Sequence, residues 1–260
     1  MGLKMITLLF ALVASFTAAL ADTVNLNVSP TLGDPIVISG KLDQPAGEGP
    51  FPAIVMLHGC GGPWPLRDEM WSSWLVDWGY VVLRVDSFGP RGFPKGTCDQ
   101  IGSVTPLTRA EDAHAAKAYL KELHNVDGNN IGVMGWSHGA MSVLWAIENT
   151  YLVDTIRPEP FKAAIAVYPW CDEVLFRVDS PLLLLIGELD DWTPASRCER
   201  MELRDPIIND MALKVYPGAM HDFDVPGLDT EVLGHVLRHN PDAAADARTR
   251  IKAFLSKHLR

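Results

Sequence analysis

The sequence predicts a single α/β domain built on a mostly parallel sheet that is covered by helices on both faces. Three runs, residues 53–57, 163–168 and 182–186, are apolar along their whole length and have the length of strands. Strands of this kind are buried on both faces, which is typical of parallel sheets. The runs alternate with segments of helical spacing. A chain of 260 residues with 48% hydrophobic and 21% charged residues has the size and composition of one such domain.

The first 21 residues are predicted to be a targeting segment that precedes the domain. Lys4 supplies a positive charge, residues 5–20 are apolar, and Ala19-Leu-Ala21 is a small-x-small cleavage site. An apolar run of about 16 residues is short for a membrane span. We therefore expect a cleaved signal peptide at 1–21 and a single mature domain at 22–260. The mature protein is expected to be periplasmic or secreted, without membrane attachment.

Charge and cysteine content limit the kinds of partner and of covalent bond that we expect for this chain. The formal net charge is −10, and the sequence has no basic run with interleaved aromatic residues, so a nucleic-acid partner is not expected. Four cysteines are an even number, which permits disulfides in an oxidising compartment, and three complete pairings are possible. None of the cysteines has zinc-type spacing to a pair of histidines. They are Cys60, Cys98, Cys171 and Cys198.

In chain order, the first half reads as strands and helices separated by turns. Two short strands flank a turn at Gly33-Asp-Pro35, and a loop rich in proline and glycine follows at residues 45–50. Thr108 and Glu111 have the spacing of a capping box at the start of a helix. The predicted elements are strands at 23–29, 36–42, 53–57 and 80–85, helices at 67–78 and 108–124, and a glycine- and proline-rich loop at 88–107.

The second half repeats the alternation of apolar strands and helices. A strand that starts near residue 131 leads through a tight turn into a helix-forming segment. Further apolar strands follow, and the chain closes with an amphipathic helix. The predicted elements are a helix at 140–148, strands at 163–168, 182–186 and 212–216, and a last helix at 242–259.

The turn between the strand from residue 131 and the next helix carries a Gly-x-Ser-x-Gly pattern, Gly135-Trp-Ser-His-Gly139. In a nucleophile elbow the serine has a strained backbone, and strand and helix crowd together two residues to either side, so that only glycine fits there. A bare pattern of this kind often occurs by chance, and the strand–turn–helix context is what favours the functional interpretation. We therefore predict Ser137 as a nucleophile.

A serine nucleophile needs a general base and an acid that orients the base, and the elbow predicts the chain order serine, acid, histidine. Asp190 lies directly after the strand at 182–186 and is the predicted acid. Its neighbour Asp191 is an alternative, although a role in the loop or as a helix cap suits it better. Asp172, after the preceding strand, is a weaker competitor.

His221 is the predicted base because it is the histidine that lies in the required order, in the loop after the last strand. Two other histidines, His58 and His138, lie in glycine-containing turns, where their backbone groups are expected to matter. The remaining histidines fall on predicted helices or near helix ends, where solvated roles are expected: His114, His124, His235, His239 and His258.

Acyl transfer also needs donors for the oxyanion of the tetrahedral intermediate. In an elbow one donor is the backbone N–H of the residue after the nucleophile, here His138. The second comes from the loop after the third strand, which reads His58-Gly-Cys-Gly-Gly62, and Cys60 N–H is the predicted group. The alternative for this loop is an ordinary glycine turn.

These motifs together resemble the α/β-hydrolase superfamily, and within it the dienelactone hydrolase family. The resemblance spans nearly all of the chain after residue 21, and the elbow and acid loop are its specific parts. It implies a twisted sheet of about eight strands, and only about eleven residues separate the strands near Tyr168 and Pro181, so no lid domain is expected. The namesake enzymes carry cysteine in the elbow, whereas this chain has serine. The motifs are 58–62, 86–92, 135–139, 187–194 and 217–223.

The usual strand order of this fold also bears on the cysteines. The third and fourth strands are neighbours, as are the sixth and seventh, and the cysteines lie in the loops that follow these strands. The resemblance therefore implies the pairs Cys60–Cys98 and Cys171–Cys198. Four separate thiols are the alternative, with Cys60 serving as a small residue of the oxyanion loop.

We expect a serine hydrolase that cleaves ester or lactone bonds of small to medium substrates, without a metal or organic cofactor. A peptidase or acyltransferase on the same triad, or a binding protein that kept the fold without activity, are the alternatives. Arg91 is a candidate for binding a substrate carboxylate, or else it braces the long loop. Trp136 and Trp192 are further candidates for substrate contacts. The sequence leaves the oligomeric state open.

Overall fold

A computed structural model describes residues 21–31, 33–148, 159–171, 174–175, 178–203 and 210–259. The strands are β1 (Asp22–Val28), β2 (Ile36–Asp43), β3 (Phe51–Leu57), β4 (Val81–Asp86), β5 (Val126–Trp136), β6 (Ala164–Val167), β7 (Val174–Leu175), β8 (Leu182–Gly187), β9 (Glu202–Leu203), β10 (Met211–Tyr216), β11 (Asp229–Val232) and β12 (His235–Arg238). The helices are α1 (Pro65–Asp77), α2 (Pro106–Lys121), α3 (His138–Ile147), α4 (Ala195–Glu199) and α5 (Pro241–His258).

Eight of these strands form one sheet in the order β1-β2-β4-β3-β5-β6-β8-β10. The pairs β1–β2 and β2–β4 are antiparallel. From β4 to β10 all neighbouring strands are parallel. Helices α2 and α3 pack together over the sheet, and α1 and α5 meet through the contact of Trp74 with Arg248. The predicted fold class, a mostly parallel sheet of about eight strands with helices, is confirmed.

The central strands form the core because their side chains are apolar on both faces. All six residues of β8 and all four of β6 are buried, as the continuous apolar runs predicted. The carboxyl ends of β3, β5, β8 and β10 lie at the same edge of the sheet, since these strands are parallel. The loops after these strands are therefore brought together, which is where open α/β sheets bind ligands.

Two local predictions are wrong. Helix α2 begins at Pro106, and its N-cap is Thr105, whose hydroxyl accepts a hydrogen bond from Thr108 N at 3.1 Å. Proline suits the first helical position because its fixed φ is preorganised and it has no N–H to satisfy, so the helix starts one turn before the predicted capping box of Thr108 and Glu111. His235 lies in β12 and not in a helix, because residues 229–238 pair as an antiparallel hairpin.

In the part of the chain that the structure describes, no helix is both long enough and apolar enough to cross a membrane. The predicted signal peptide and the competing acid Asp172 lie outside the described residues. The boundaries of the other predicted elements agree with the structure within a few residues.

Both predicted disulfides are present. Cys60 is bonded to Cys98 and Cys171 to Cys198. The first ties the loop after β3 to the long loop after β4. The second ties the chain after β6 to α4, which follows the loop that contains Asp190. Both bonds therefore connect loops at the carboxyl edge of the sheet.

Replacing Cys171 and Cys198 together by alanine is expected to lower the free energy of unfolding by about 3.5 kcal/mol, because a bond that closes a 27-residue separation restricts the unfolded chain. Urea unfolding of the variant and the wild type measures the difference. Peptide mapping without reduction checks the pairing itself. Four alkylatable thiols, or a Cys60–Cys171 peptide, would contradict the assignment.

Replacing Gly139 by alanine is expected to destabilise the protein by about 1–3 kcal/mol or more, as overpacking of a tight contact does. A Cβ at this position would overlap the backbone carbonyl oxygens of Leu57 and His58, which have little freedom to move. The matched control is Gly102→Ala, because no atom lies within 4 Å of a Cβ placed there. Thermal melts of both variants measure the effect, and equal melting temperatures would contradict the packing argument.

Candidate active site

Ser137 occupies the sharp turn between β5 and α3. Its backbone has φ 51° and ψ −119°, a conformation that L-residues rarely adopt, so the turn is strained. The chain can follow this turn because Gly135 and Gly139 leave room: a Cβ on Gly135 would overlap the carbonyl oxygen of Gly139. The strand–turn–helix context that the Gly-x-Ser-x-Gly pattern predicts is therefore present.

The imidazole of His221 lies between the side chains of Ser137 and Asp190. Its Nε2 atom is 3.1 Å from Ser137 Oγ, and its Nδ1 atom is 2.7 Å from Asp190 Oδ2. A carboxylate only accepts hydrogen bonds, so Nδ1 carries the proton and Nε2 is left to accept the serine hydroxyl. The structure thus brings the three predicted catalytic residues into one hydrogen-bonded chain.

The carboxylate of Asp190 is held on both of its oxygens. Oδ1 accepts the backbone N–H groups of Trp192 and Thr193 at 3.0 and 2.8 Å. Oδ2 accepts the Thr193 hydroxyl at 2.9 Å in addition to the imidazole. Asp191, the alternative acid, is exposed and faces His235 at 3.4 Å. Asp190 is therefore the carboxylate that contacts the imidazole.

The surroundings of His221 raise the pKa of its imidazole. Burial lowers this pKa, but the hydrogen bond that the imidazole donates to Asp190 and the negative charge of that carboxylate together outweigh burial. Asp222 adds to the rise, and the positive charge of Arg67 opposes it. The net result is a pKa above the usual value of 6.5. A histidine of this kind accepts a proton more readily than a free imidazole does.

The loop after β3 lies directly against the elbow. A Cβ on Gly59 would be 3.7 Å from Ser137 Cβ, so this loop borders the serine. Cys60 is held by its disulfide and by its carbonyl, which accepts Thr97 N at 2.7 Å. His138 is the first residue of α3, and the first N–H groups of a helix have no partner within it. The two predicted oxyanion donors therefore belong to segments that adjoin Ser137.

Sequence reasoning missed a buried carboxylate behind the site. Asp224 accepts three hydrogen bonds, from Trp71 Nε1 at 2.7 Å, Trp136 Nε1 at 3.0 Å and Tyr168 Oη at 2.7 Å. The Tyr168 ring packs on the His221 ring with 4.6 Å between centroids. Burial raises the pKa of Asp224. In the sequence, the role of Asp224 was indicated only by its position three residues after His221. Its three hydrogen-bond donors lie far away along the chain.

Arg67 is a second buried charge that the sequence did not reveal. Its guanidinium donates to Asp68 at 3.2 Å and to Asp222 at 3.4 Å. It also lies over the indole rings of Trp64 and Trp136. These two carboxylates compensate the positive charge of Arg67 inside the protein.

Two of the three predicted substrate contacts are wrong. Trp136 is fully buried and its N–H is bound to Asp224, so it is a core residue. The terminal nitrogens of Arg91 bind both oxygens of buried Asp112 at 2.8 and 2.7 Å, and one of them also binds Ser87 O. Arg91 therefore braces the loop, as in the alternative interpretation. Its bidentate ion pair with Asp112 occupies both terminal nitrogens, which a substrate carboxylate would need.

Trp192 lies at the mouth of the site. Its ring is half-buried, 5.3 Å from the His221 ring, and stacked on His235 with 4.8 Å between centroids. Leu189 in the same loop is 52% exposed. The surface beside the imidazole is therefore partly apolar. Among the described residues, no group of His, Cys, Asp and Glu is arranged to hold a metal ion.

The model of the dienelactone hydrolase family matches residues 38–259 of this chain. Among curated proteins, the quorum-quenching protein AidA from Acinetobacter baumannii is 32% identical over 111 residues, which are 43% of this chain and 36% of that protein. Dipeptidyl-peptidase 5 from Porphyromonas gingivalis is 32% identical over 100 residues, which are 36% of this chain and 14% of that protein. The matches thus span well under two thirds of these relatives' lengths.

Solved structures share the fold. A dienelactone hydrolase-like promiscuous phosphotriesterase from metagenomic libraries has a TM-score of 0.69 and 16% identity, with 93% of this chain and 100% of that chain covered. The dienelactone hydrolase of Anabaena variabilis has a TM-score of 0.62 and 18% identity, covering 93% and 100%. Esterase 2 of Thermogutta terrifontis, phosphorylated by paraoxon, has a TM-score of 0.63 and 16% identity, covering 91% and 94%. Because the family model matches most of the chain, this protein belongs to the dienelactone hydrolase family.

Proposed function

We propose that this protein is a serine hydrolase that cleaves the ester or lactone bond of small to medium, uncharged substrates. The observation that carries the proposal is the continuous hydrogen-bonded chain from Ser137 Oγ through the His221 ring to Asp190. Nucleophile, base and orienting acid in this geometry are the arrangement that acyl transfer needs. Membership of a hydrolase family supports the same reaction class.

In the proposed reaction, Ser137 Oγ attacks the substrate carbonyl carbon while its proton passes to His221 Nε2. The imidazolium that forms is stabilised by the Asp190 anion. The carbonyl oxygen becomes an oxyanion that accepts hydrogen bonds from the N–H groups of Cys60 and His138. The C–O bond then breaks, the leaving alkoxide takes the proton from Nε2, and an acyl-enzyme remains on Ser137. Water, activated by the same imidazole, releases the acid and restores the serine.

Each part of this site has a known scale of effect in other enzymes. General acid–base catalysis contributes about 10²–10⁴-fold in rate. Each oxyanion donor contributes about 10²–10³-fold. An ester is a substrate for which these contributions suffice, because an alkoxide is a better leaving group than the anion of an amine and the ester carbonyl is less stabilised by resonance than an amide carbonyl.

The preference for uncharged substrates follows from the charges around the site. Arg67, whose charge acts on His221, and Arg91, in the loop after β4, are both paired with carboxylates and mostly buried. Trp192 offers an aromatic surface beside the His221 ring instead, and Leu189 in the same loop is exposed. Burying a substrate carboxylate here without a partner would be costly. Neutral acyl and alcohol groups therefore suit the mouth best.

A peptidase is the second candidate, and the similarity to dipeptidyl-peptidase 5 over 100 residues favours it over an acyltransferase. The same triad can cleave an amide if the leaving amine is protonated by His221. Matched ester and anilide substrates with the same acyl group distinguish the two candidates, because an esterase cleaves only the first at a useful rate.

The proposal extends to export. Residues 1–21 have the pattern of a cleaved signal, and two disulfides are bonds that persist in oxidising compartments. We therefore place the reaction in the periplasm or outside the cell.

An organophosphonate probe is expected to form one adduct per chain, on Ser137. Ser137→Ala should abolish the adduct and lower ester hydrolysis by about six orders of magnitude, because the triad acts as a unit. Intact mass and peptide mapping locate the adduct. The matched control is Ser142→Ala, since this buried serine of α3 donates to the backbone oxygen of His138 and should leave labelling intact. Labelling at another serine would contradict the assignment.

Asp190→Asn is expected to lower kcat by about 10⁴-fold, because the imidazole loses the anion that holds its tautomer. The pH dependence of kcat/KM tests the same point. In the wild type, activity should rise with pH as the imidazole loses its proton, with a midpoint above 6.5, the usual histidine value. In Asp190→Asn the midpoint should move to lower pH, because burial then acts without the opposing carboxylate.

Asp191→Asn is the control for this experiment, because the two residues are adjacent and only Asp190 contacts His221. It should keep the midpoint and lose less than about tenfold in kcat, the effect of an exposed charge. A larger loss in Asp191→Asn than in Asp190→Asn would contradict the assigned acid.

A further inference from the structure

Arg109 connects the two segments that carry the proposed oxyanion donors. It lies in the first turns of α2 and is fully buried. One terminal nitrogen donates to the backbone oxygen of His58 at 2.7 Å, and the other contacts His138 Nδ1 at 2.7 Å. His58 begins the loop that contains Cys60, and His138 follows the nucleophile. One guanidinium therefore bridges the loop after β3 and the start of α3.

The contact with His138 fixes the state of that ring. A guanidinium only donates hydrogen bonds, so Nδ1 of His138 accepts and carries no proton. Burial, with a smaller contribution from the charge of Arg109, lowers the pKa of His138 to about 3. The ring is therefore neutral near pH 7, and its Nδ1 atom can accept the guanidinium N–H.

The contact with His58 bears on the direction of Cys60 N–H. The ring of His58 donates from Nδ1 to the carbonyl oxygen of Gly59 at 2.7 Å. The peptide between Gly59 and Cys60 is planar and trans, so its C=O and N–H point in opposite directions. Because the His58 ring fixes the direction of the Gly59 carbonyl, it also fixes the direction of the Cys60 N–H, which points the opposite way. Arg109 anchors the preceding peptide through His58 O, and the start of the loop is thus held at two successive carbonyls.

Packing alone gives little reason for an arginine at this position. Its Nε atom has no hydrogen-bond partner among the described residues, and its charge lies over the face of Phe88, 4.7 Å from the ring centroid. Burial lowers the pKa of Arg109, and the Asp112 carboxylate offsets part of that shift. A buried cation of this kind is costly, and an apolar side chain would usually fill such a core position more favourably. Its short contacts, however, all go to the two segments beside Ser137.

We propose that Arg109 is a positioning residue that holds the N–H groups of Cys60 and His138 in place before the oxyanion forms. This inference rests on the proposed serine hydrolase function. Donors that are already aligned cost no reorganisation during the reaction, and misplacement by about 1 Å can cost about 100-fold in rate. Arg109 does not touch the substrate, so its effect is expected on the transition state and not on substrate binding.

Lys117 is a matched control because it shares the helix and the type of contact. It is a largely buried cation two turns further along α2, and it donates to the backbone oxygens of Glu159 and Pro160 at 2.6 and 2.8 Å. Those oxygens are remote from the site. Lys117→Met therefore removes a buried cation and two carbonyl contacts without disturbing the oxyanion segments.

The experiment compares Arg109→Met, Arg109→Lys and Lys117→Met with the wild type. Arg109→Met should lower kcat for a neutral aryl ester by about 100-fold and change KM by less than about threefold. Arg109→Lys should recover part of kcat, because an ammonium can still donate to one of the two acceptors. Lys117→Met should keep kcat within about threefold even where its melting temperature falls.

A thionoester with the same acyl and alcohol groups gives a readout that loss of stability alone would not move. Sulfur is a weaker hydrogen-bond acceptor than oxygen, so aligned donors make the wild type prefer the ester. That preference should shrink in Arg109→Met and stay unchanged in Lys117→Met. If Arg109→Met does not fold, the ester preference of Arg109→Lys decides.

Failure of this inference differs from failure of the proposed function. A wild type that neither hydrolyses esters nor takes a phosphonate on Ser137 overturns the proposed function, and this inference with it. A wild type that does both, with an Arg109→Met variant that keeps kcat and the ester preference, overturns only the role of Arg109. An equal loss of kcat in Lys117→Met also overturns that role.

Discussion

The close approach of α3 to the end of β3 is the constraint on which the site depends. Gly139 lies so near the carbonyl oxygens of Leu57 and His58 that no side chain fits between them. Since β3 and β5 are neighbours in the sheet, their register determines this approach. The strained backbone of Ser137 persists because strand and helix hold it from both sides. The loop after β3 then borders the serine.

Buried charges surround this contact, and each has a partner inside the protein. Asp224 takes three side-chain donors behind the His221 ring. Arg67 is balanced by neighbouring carboxylates, and Arg109 donates hydrogen bonds to a backbone carbonyl and to a neutral imidazole. In such a water-poor region charges act more strongly than in solvent, so fixed partners matter for the pKa of His221. The proposed chemistry thus relies on dipoles and charges that are in place before substrate arrives.

Local patterns predicted the strands, the elbow and the order of the site residues well, because each depends on a few neighbouring residues. Errors arose where two local interpretations were equally good. Thr105 and Thr108 can both cap a helix, and the proline after Thr105 favours the earlier start. Arg91 and Trp136 looked available for substrate because their partners, Asp112 and Asp224, lie 21 and 88 residues away. Nothing in a local window indicates such contacts.

The sequence by itself determined the fold class, the two disulfide pairs once the fold was inferred, and the order of Ser137, an acid in the loop after the strand at 182–186, and His221. These follow from hydrophobic periodicity and chain order, which can be read from short stretches of consecutive residues. Only the tertiary structure decided which of two adjacent aspartates faces the imidazole, and that Arg109 joins the oxyanion segments. The physical reason is that a loop residue turns inward or outward according to its backbone contacts, and those contacts come from strands distant in sequence.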